Sequence, residues 1–315
     1  YGDHRDLHRV DRRQRQMCIR DRFLSFLLFV SCEKQEITIN NIDNDWTTKK
    51  FSFNHDGLER NYILHKPESF IENSPLLFVL HGFGSTANTI MTYSQMNKIA
   101  DENGFMVCYP QGTILSSGQS HWNANVQMSN INDIGFLSQL AKQIQSNYQT
   151  NPKNTFTSGM SNGGFMSYTL GCEKSDIFKG VASITGTMSG KDWKNCNPSS
   201  KIPVLQISGT VDTVVPWDGT MSPAYGWGGA PHIQKVVEFW ANLNGTSQNE
   251  KIDFPNIVSE DKSTVSMDKM KGSSNNNEVW FYTVAGGGHD WPGSWGNKDI
   301  SASKEIWKFF KQHIK

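Results

Sequence analysis

Short apolar runs alternate with amphipathic segments along most of the chain. Near-continuous apolar runs, such as those in PLLFVLHG and FMVCYP, are typical of strands buried on both faces of a sheet. Between residues 133 and 148, apolar side chains recur every three or four positions, which predicts a helix with one buried face. The same criteria predict helices over 86–103, 232–243 and 301–313, and strands in NTFTS, FKGVASITG, IPVLQISG and EVWFYTVAGGG.

The order of these elements predicts an α/β fold with a mostly parallel central sheet and helices on both faces. The segments KKFSF and RNYILHK flank the turn NHDGLE and predict an antiparallel hairpin at the N-terminal edge of that sheet. The sequence shows no internal repeat and no boundary between two domains. We therefore expect residues 49–315 to form one domain whose ligands gather at the carboxyl ends of the strands.

The first 22 residues differ sharply in composition from the rest of the chain. They hold seven of the eight arginines, whereas the whole chain carries 30 basic and 30 acidic residues. This balanced charge gives no electrostatic footprint for nucleic-acid binding. Because of the arginine cluster and the peptide MCIRD, which resembles a translated sequencing-library adapter, we interpret residues 1–22 as non-native read-through. A basic leader is the alternative, and neither interpretation predicts a catalytic role.

An apolar run from Phe23 to Val30 precedes Ser31 and Cys32. The run is too short to span a bilayer as a helix, but it suits an export signal. We interpret residues 23–32 as a signal peptide with a bacterial-type lipobox, in which Cys32 becomes the lipidated residue, and residues 33–48 as a polar tether. Plain secretion is the alternative. Both predict an exported protein, either secreted or lipid-anchored at a bacterial cell envelope.

Three further cysteines follow, at positions 108, 172 and 196. Cys108 lies in an apolar run and is expected to be a buried thiol. Cys172 and Cys196 lie in polar segments, and in an exported chain we expect them to form a disulfide. The chain contains no CxxC, HxH or HExxH motif, so no metal site is predicted.

One serine lies in the motif GMSNG, residues 159–163, between a predicted strand and a predicted helix. This is the context of a nucleophile elbow, in which a sharp turn exposes the serine hydroxyl at the end of a strand. Glycines two residues before and two after Ser161 let the strand and the helix approach each other. The alternative is a polar residue in a glycine-rich loop.

A base and an orienting acid are predicted on loops at the same edge of the sheet. His289 follows the strand VWFYTV in the loop AGGGHDWPG, and Asp212 follows the strand IPVLQISG. The order Ser161, Asp212, His289 is typical of α/β-hydrolases rather than of chymotrypsin-like or subtilisin-like proteins. Asp218 is the alternative acid. These acids could also be turn residues or helix caps, as we expect for Asp133.

Two backbone N–H groups are predicted to stabilise an oxyanion. The N–H of Asn162 lies at the start of the helix after Ser161, and the N–H of Phe83 lies in the loop LHGFGS after an early strand. His81, in the same loop, is expected to hold that loop by hydrogen bonds rather than to act as a base.

Seven motifs together resemble the polyhydroxybutyrate depolymerase-like esterases, an α/β-hydrolase family that includes feruloyl and acetyl-xylan esterases of carbohydrate esterase family one. They are LHGFGS, YPQGT, HWNAN, NDIGFLSQL, GMSNGGFMSY, ISGTVDTVVPWDG and GGGHDWPG, and the similarity covers about residues 50–315. The resemblance implies a triad of Ser161, Asp212 and His289 and a family disulfide between Cys172 and Cys196. Asp290 departs from the small Thr or Ser expected beside the histidine, which would either add negative charge near the base or alter the rim of the substrate site.

The expected chemistry is acyl transfer from an ester to water through an acyl-serine, without a cofactor. Four tryptophans, Trp122, Trp217, Trp227 and Trp291, are candidates for binding a sugar, a ferulate ring or a polyester, with core packing as the competing interpretation. The favoured substrates are acylated polysaccharide fragments, and polyhydroxyalkanoates come next. Two further hypotheses are a glycan-binding lipoprotein with an inactive cleft and a peptidase.

Overall fold

The computed structural model describes residues 47–272 and 277–315. The interpretations of residues 1–22 as read-through, of 23–32 as an export signal and of Cys32 as a lipidation site lie outside these ranges, as does nearly all of the tether. Across the described ranges, no helix combines the length and the apolar character that crossing a membrane requires.

Twelve strands and seven α-helices make up the described fold. The strands are β1 (Thr48–His55), β2 (Leu58–His65), β3 (Leu76–Leu80), β4 (Met106–Pro110), β5 (Thr113–Ile114), β6 (Ser120–His121), β7 (Thr155–Met160), β8 (Val181–Ile184), β9 (Val204–Gly209), β10 (Gln248–Asp253), β11 (Thr264–Lys271) and β12 (Val279–Ala285). The helices are α1 (Ala87–Ser94), α2 (Met96–Asn103), α3 (Asp133–Tyr148), α4 (Asn162–Glu173), α5 (Gly190–Asn195), α6 (Ile233–Asn244) and α7 (Ala302–Lys311).

Ten of the strands form one sheet in the order β1-β2-β4-β3-β7-β8-β9-β12-β11-β10. Strands β4, β3, β7, β8, β9 and β12 are mutually parallel, which confirms the predicted central sheet. The predicted hairpin of β1 and β2 pairs antiparallel against β4 at one edge. Strands β11 and β10 add a second antiparallel edge, which the sequence analysis did not predict.

Both faces of the sheet are covered by helices. Along β3, Leu76, Phe78 and Leu80 pack into one apolar core, whereas Leu77 and Val79 pack into the other. Helices α3, α4 and α6 contribute to the first core, and α1, α2 and α7 contribute to the second. Because successive side chains of a strand point to opposite faces, a strand between two cores reads as a continuous apolar run.

Two details of the helices differ from the sequence predictions. The predicted helix over 86–103 is divided into α1 and α2 by Gln95, which has a left-handed backbone with φ of 50°. Helix α3 has the predicted bounds, but Asn132 caps it, by accepting a hydrogen bond from the Gly135 N–H. Asp133 is not the cap: it is buried and accepts a 2.6 Å hydrogen bond from Arg60.

The cysteines of the described domain lie where the sequence predicts. Cys172, at the end of α4, forms a disulfide with Cys196, the residue that follows α5. Cys108 is a free thiol at the centre of β4, and burial raises its pKa well above the ordinary value. A protonated, buried thiol is unreactive, so Cys108 belongs to the core and not to a second nucleophilic site.

Candidate active site

Ser161 forms a sharp turn between β7 and α4. Its backbone has φ of 52° and ψ of −121°, a sparsely populated conformation for a residue with a side chain. A Cβ atom on Gly159 would lie 2.4 Å from the Gly163 backbone, and one on Gly163 would lie 2.2 Å from the Leu80 carbonyl oxygen. The two glycines of the motif are therefore required by close backbone contacts, as a nucleophile elbow demands.

His289 and Asp212 are joined by a hydrogen bond at the carboxyl edge of the sheet. His289 Nδ1–H donates to Asp212 Oδ2 at 2.7 Å, and the aspartate side chain is buried. The other carboxylate oxygen accepts hydrogen bonds of 2.8 Å from the N–H groups of Val214 and Val215. Asp212 is thus held on both oxygens, which fixes the orientation of the His289 ring.

The other nearby carboxylates have different partners. Asp218 is exposed and accepts hydrogen bonds from the Thr220 N–H and hydroxyl. Asp290 accepts a hydrogen bond from the Gly288 N–H, in the backbone of its own loop. Asp212 is therefore the carboxylate that the structure brings to His289, in agreement with the first choice made from the sequence.

The loop after β3 lies directly against the nucleophile turn. A Cβ on Gly82 would lie 3.4 Å from the Ser161 Cβ, and Phe83, the predicted oxyanion donor, is the next residue in the chain. Within the described residues, no hydrogen bond uses the Phe83 N–H. The Asn162 N–H begins α4 and has no acceptor within the helix. Both N–H groups remain available to a ligand.

His81 holds this loop from beneath. Its Nδ1–H donates to the Gly82 carbonyl oxygen at 2.8 Å, and its Nε2 accepts a 2.9 Å hydrogen bond from the Gly112 N–H. Burial lowers the pKa of His81 to about 4, although the hydrogen bond to Gly82 opposes the shift. The ring is therefore neutral at pH 7 and serves as one donor and one acceptor, the structural role that the sequence analysis predicts.

The lowered pKa of His81 predicts an acid-sensitive contribution to stability. The unfolded chain protonates this histidine near its ordinary pKa of 6.5, whereas the folded chain resists protonation until about 4. The contribution of His81 to the free energy of unfolding is therefore present in full above pH 6.5. It decreases as the pH falls, by about 3 kcal/mol at pH 4. Urea unfolding at pH 7 and pH 4 should show a smaller loss for His81→Gln than for the wild type. Equal losses would contradict this assignment.

Two of the predicted substrate-binding tryptophans lie in the core. Trp122 and Trp291 are fully buried, so neither presents a face to a substrate, and the prediction is wrong for both. Trp122 packs against His81 and donates from Nε1–H to the His81 carbonyl oxygen at 3.0 Å. Trp291 packs against Tyr93 and donates to Ser303 Oγ at 3.2 Å. Their segments converge on the site, but their rings turn inward.

The other two tryptophans are half-buried. Trp217 stacks on Phe281, and Trp227 lies edge-on to Phe83 at a centroid distance of 6.3 Å. Phe83 itself keeps 41% of its surface exposed beside the oxyanion loop. Phe83 and Trp227 therefore form an aromatic surface next to the candidate oxyanion hole, in which the Phe83 side chain was not predicted from the sequence to take part.

The Asn162 side chain has a role that the motif alone does not indicate. Its Oδ1 accepts a 2.7 Å hydrogen bond from the Trp122 N–H, and its Nδ2 donates to the Trp122 carbonyl oxygen at 3.0 Å. The residue that supplies a candidate oxyanion N–H is thus also clamped through its carboxamide. Over the described ranges, no three His, Cys, Asp or Glu side chains are grouped to hold a metal ion.

Known proteins resemble this chain in both sequence and structure. The model of the Esterase family matches residues 57–303. The chain is 28% identical over 236 residues to Feruloyl esterase B of Piromyces equi, covering 73% of this chain but only 42% of that protein. It is 29% identical over 259 residues to "Probable feruloyl esterase C" of Aspergillus clavatus, covering 80% of this chain and 83% of that protein.

A solved structure supports the fold. An acetyl xylan esterase from Aspergillus awamori superposes with a TM-score of 0.62 at 12% sequence identity, over 85% of this chain and 100% of that chain. At such low identity the comparison supports only the architecture, which is the mostly parallel sheet described above. The family match extends over most of the chain and includes the segments that carry Ser161, Asp212 and His289. The chain belongs to the Esterase family and is a carboxylic ester hydrolase with an α/β-hydrolase fold.

Proposed function

We propose that this protein is a serine esterase that removes feruloyl or acetyl groups from polysaccharide fragments, with Ser161, His289 and Asp212 as its triad. The observation that carries the proposal is the hydrogen bond from His289 to Asp212, at the sheet edge where Ser161 leaves its strand. Donation from Nδ1–H leaves a lone pair on Nε2, and this is the form of histidine that a general base requires.

The reaction proceeds in two acyl transfers. Ser161 Oγ attacks the ester carbonyl carbon, and its proton passes to His289 Nε2 while Asp212 stabilises the charged ring. The N–H groups of Phe83 and Asn162 donate to the oxyanion. The bond to the alcohol then breaks, and the alcohol leaves with the proton from His289. Water repeats the attack on the acyl-serine, which releases the acid and restores Ser161.

The substrate class rests on the aromatic surface beside the oxyanion hole. The exposed ring of Phe83, supported edge-on by Trp227, offers an apolar face next to the carbonyl that would be attacked. Aromatic faces suit ferulate rings and sugars. Relatives named feruloyl esterase agree with this choice.

The place of action that we propose is outside the cytosol. The Cys172–Cys196 disulfide is the kind of bond that persists in oxidising compartments. The apolar run from Phe23 to Val30 suits an export signal, and Cys32 is the proposed lipid anchor where the protein stays at the membrane.

The test is hydrolysis of methyl ferulate, acetylated xylan and a hydroxybutyrate oligomer by the protein and by Ser161→Ala. Turnover of either of the first two, lost in the variant, is the expected result. Preference for the hydroxybutyrate oligomer would instead favour a polyhydroxyalkanoate depolymerase. Absence of Ser161-dependent turnover on these substrates and on p-nitrophenyl acetate would overturn the enzymatic proposal in favour of a glycan-binding protein.

Truncation of the Phe83 side chain should affect aromatic substrates selectively. Phe83→Ala retains the backbone N–H but removes the exposed ring. The KM for methyl ferulate is therefore expected to rise by about threefold to tenfold, which corresponds to the loss in binding free energy expected from one aromatic contact. KM for p-nitrophenyl acetate is not a clean comparison because that ester is itself aromatic, so ethyl acetate serves as the non-aromatic substrate and should be unaffected.

The matched control is Ile71→Ala. Ile71 is also an exposed apolar side chain, at 71%, but it lies in the loop that leads into the start of β3, at the opposite edge of the sheet from Ser161. It should leave both KM values unchanged. If Phe83→Ala raises KM for ethyl acetate as much as for methyl ferulate, the ring has no part in acyl selection.

A further inference from the structure

One short segment contacts both parts of the chain that carry the candidate oxyanion donors. We call residues 120–123 the brace segment; it comprises β6 and the two residues after it. The segment lies between the loop after β3, which carries the Phe83 N–H, and the start of α4, which carries the Asn162 N–H. These two N–H groups belong to separate elements, so something must fix the distance between them.

The contact with α4 is a reciprocal pair of hydrogen bonds. The carboxamide of Asn162 accepts from the Trp122 N–H at 2.7 Å and donates to the Trp122 carbonyl oxygen at 3.0 Å. Both residues are buried, so water does not compete for these bonds. The carboxamide and the oxyanion N–H belong to the same residue. The pair therefore fixes the position of that N–H relative to Trp122.

The contact with the Phe83 loop encloses the donor on both sides. Two residues before Phe83, the His81 carbonyl oxygen accepts from Trp122 Nε1–H at 3.0 Å. One residue after Phe83, the Gly84 N–H donates to the Ser120 carbonyl oxygen at 2.8 Å. The backbone is thus bound to the brace segment on both sides of Phe83, at His81 and at Gly84, whereas no hydrogen bond within the described residues uses the Phe83 N–H itself.

The far end of the brace segment is held by a buried ion pair. The Asn123 N–H donates to Asp133 Oδ2 at 2.7 Å, and Asp133 Oδ1 accepts from Arg60 at 2.6 Å. Arg60 lies on β2 and its guanidinium packs over the Phe136 ring. A buried ion pair is weak evidence for stability in itself. Here it connects the brace segment to β2 and so to the sheet.

We propose that Trp122 is a positioning residue that sets the spacing between the Phe83 and Asn162 N–H groups. It contacts no reacting atom; it acts through its backbone on Asn162 and through its indole N–H on His81. The inference rests on the proposed oxyanion role of the two N–H groups. Oxyanion donors act only when they lie within about 2.7–3.1 Å of the developing charge, so a small change in spacing lowers the rate.

Two variants remove the two contacts separately. Trp122→Phe keeps a ring in the core but deletes the indole N–H, and Asn162→Ala deletes the carboxamide while keeping the backbone N–H. Each is expected to lower kcat for p-nitrophenyl acetate about 10- to 100-fold, with KM changed by less than about twofold, because the oxyanion exists only in the transition state. Inhibition by phenylboronic acid, whose serine adduct carries an oxygen in the hole, should weaken in parallel with kcat.

Matched controls separate positioning from stability. Trp240 is another buried tryptophan, but its indole N–H has no hydrogen-bond partner among the described residues, so Trp240→Phe repeats the change of ring alone. Asn244 is buried on α6 and donates to the Ile202 carbonyl oxygen, so Asn244→Ala deletes a comparable carboxamide away from the site. Both controls are expected to lower Tm without lowering kcat.

The outcomes distinguish this inference from the proposed function. If Ser161→Ala is inactive while folded Trp122→Phe and Asn162→Ala keep the wild-type kcat, the esterase proposal stands and the positioning role is overturned. A rise in KM alone, or an equal loss of kcat in the Trp240→Phe control, overturns it as well. If Ser161→Ala retains full activity, the proposed function itself fails. Should Trp122→Phe not fold, Asn162→Ala alone decides through the same readouts.

Discussion

Replacement of Ser161 with alanine is expected to lower kcat for ester hydrolysis by about five to six orders of magnitude. The substitution removes the oxygen that attacks the carbonyl, and no other hydroxyl can take its place because the elbow presents one side chain only. The strained backbone remains, since alanine has the same Cβ as serine. Initial rates on p-nitrophenyl acetate and methyl ferulate measure the effect, with near-UV circular dichroism to check folding.

Ser158 provides the matched control for this experiment. It lies on β7, the strand that leads into Ser161, and its buried hydroxyl has no hydrogen-bond partner among the described residues. Ser158→Ala should change kcat by less than about twofold, because it removes a hydroxyl that makes no contact with the reacting groups. Loss of activity in Ser158→Ala, or its retention in Ser161→Ala, would show that Ser161 is not the nucleophile.

The central sheet was predictable from the sequence because its strands are buried on both faces. A run such as LLFVL has only one stable environment, between two layers of helices, and its neighbours in the chain supply those layers. The bounds of α3 followed from its regular spacing of apolar residues. The proximity of His289 and Asp212 followed from topology, since both lie after parallel strands that end at the same edge of the sheet.

The antiparallel edge formed by β10 and β11 could not be recognised in this way. Strand β10 has the sequence QNEKID and is almost wholly exposed, so it shows neither an apolar run nor an alternation of apolar and polar residues. Its strand conformation depends on pairing with β11, which is a tertiary contact. The break between α1 and α2 at Gln95 was likewise not predictable from the sequence, because a glutamine does not indicate a left-handed backbone.

The tryptophans show the limit of sequence reasoning at the site itself. Trp122 and Trp227 both lie in glycine- and asparagine-rich segments, and nothing local distinguishes a ring that turns inward from one that faces the cleft. Burial of Trp122 is decided by His81 and Asn162, which are 41 and 40 residues away along the chain. The motif located the nucleophile, but the contacts that position its oxyanion donors required the folded structure.

Substitution of Asp212 by asparagine is expected to lower kcat by about four orders of magnitude with little change in KM. The carboxylate accepts a hydrogen bond from His289 Nδ1–H and so holds the tautomer in which Nε2 is free to take the serine proton. Its Oδ1 is already held by two backbone N–H groups, so an asparagine would place its carbonyl oxygen there. The amide NH₂ would then face His289 and force the ring into the tautomer that cannot act as a base.

Two other aspartates test whether this effect is specific to Asp212. Asp218→Asn removes the same charge at an exposed turn, and Asp290→Asn removes it in the residue next to the histidine. Among the described residues, Asp218 accepts hydrogen bonds from Thr220 and Asp290 accepts one from the Gly288 N–H, whereas Asp212 alone is hydrogen-bonded to the His289 ring. Both variants should retain kcat within about tenfold, since neither substitution forces His289 into the wrong tautomer. A fall of several orders of magnitude in Asp218→Asn, with Asp212→Asn active, would instead mean that the acid loop rearranges when substrate binds. In that case the hydrogen bond from His289 to Asp212 would belong to the resting enzyme alone.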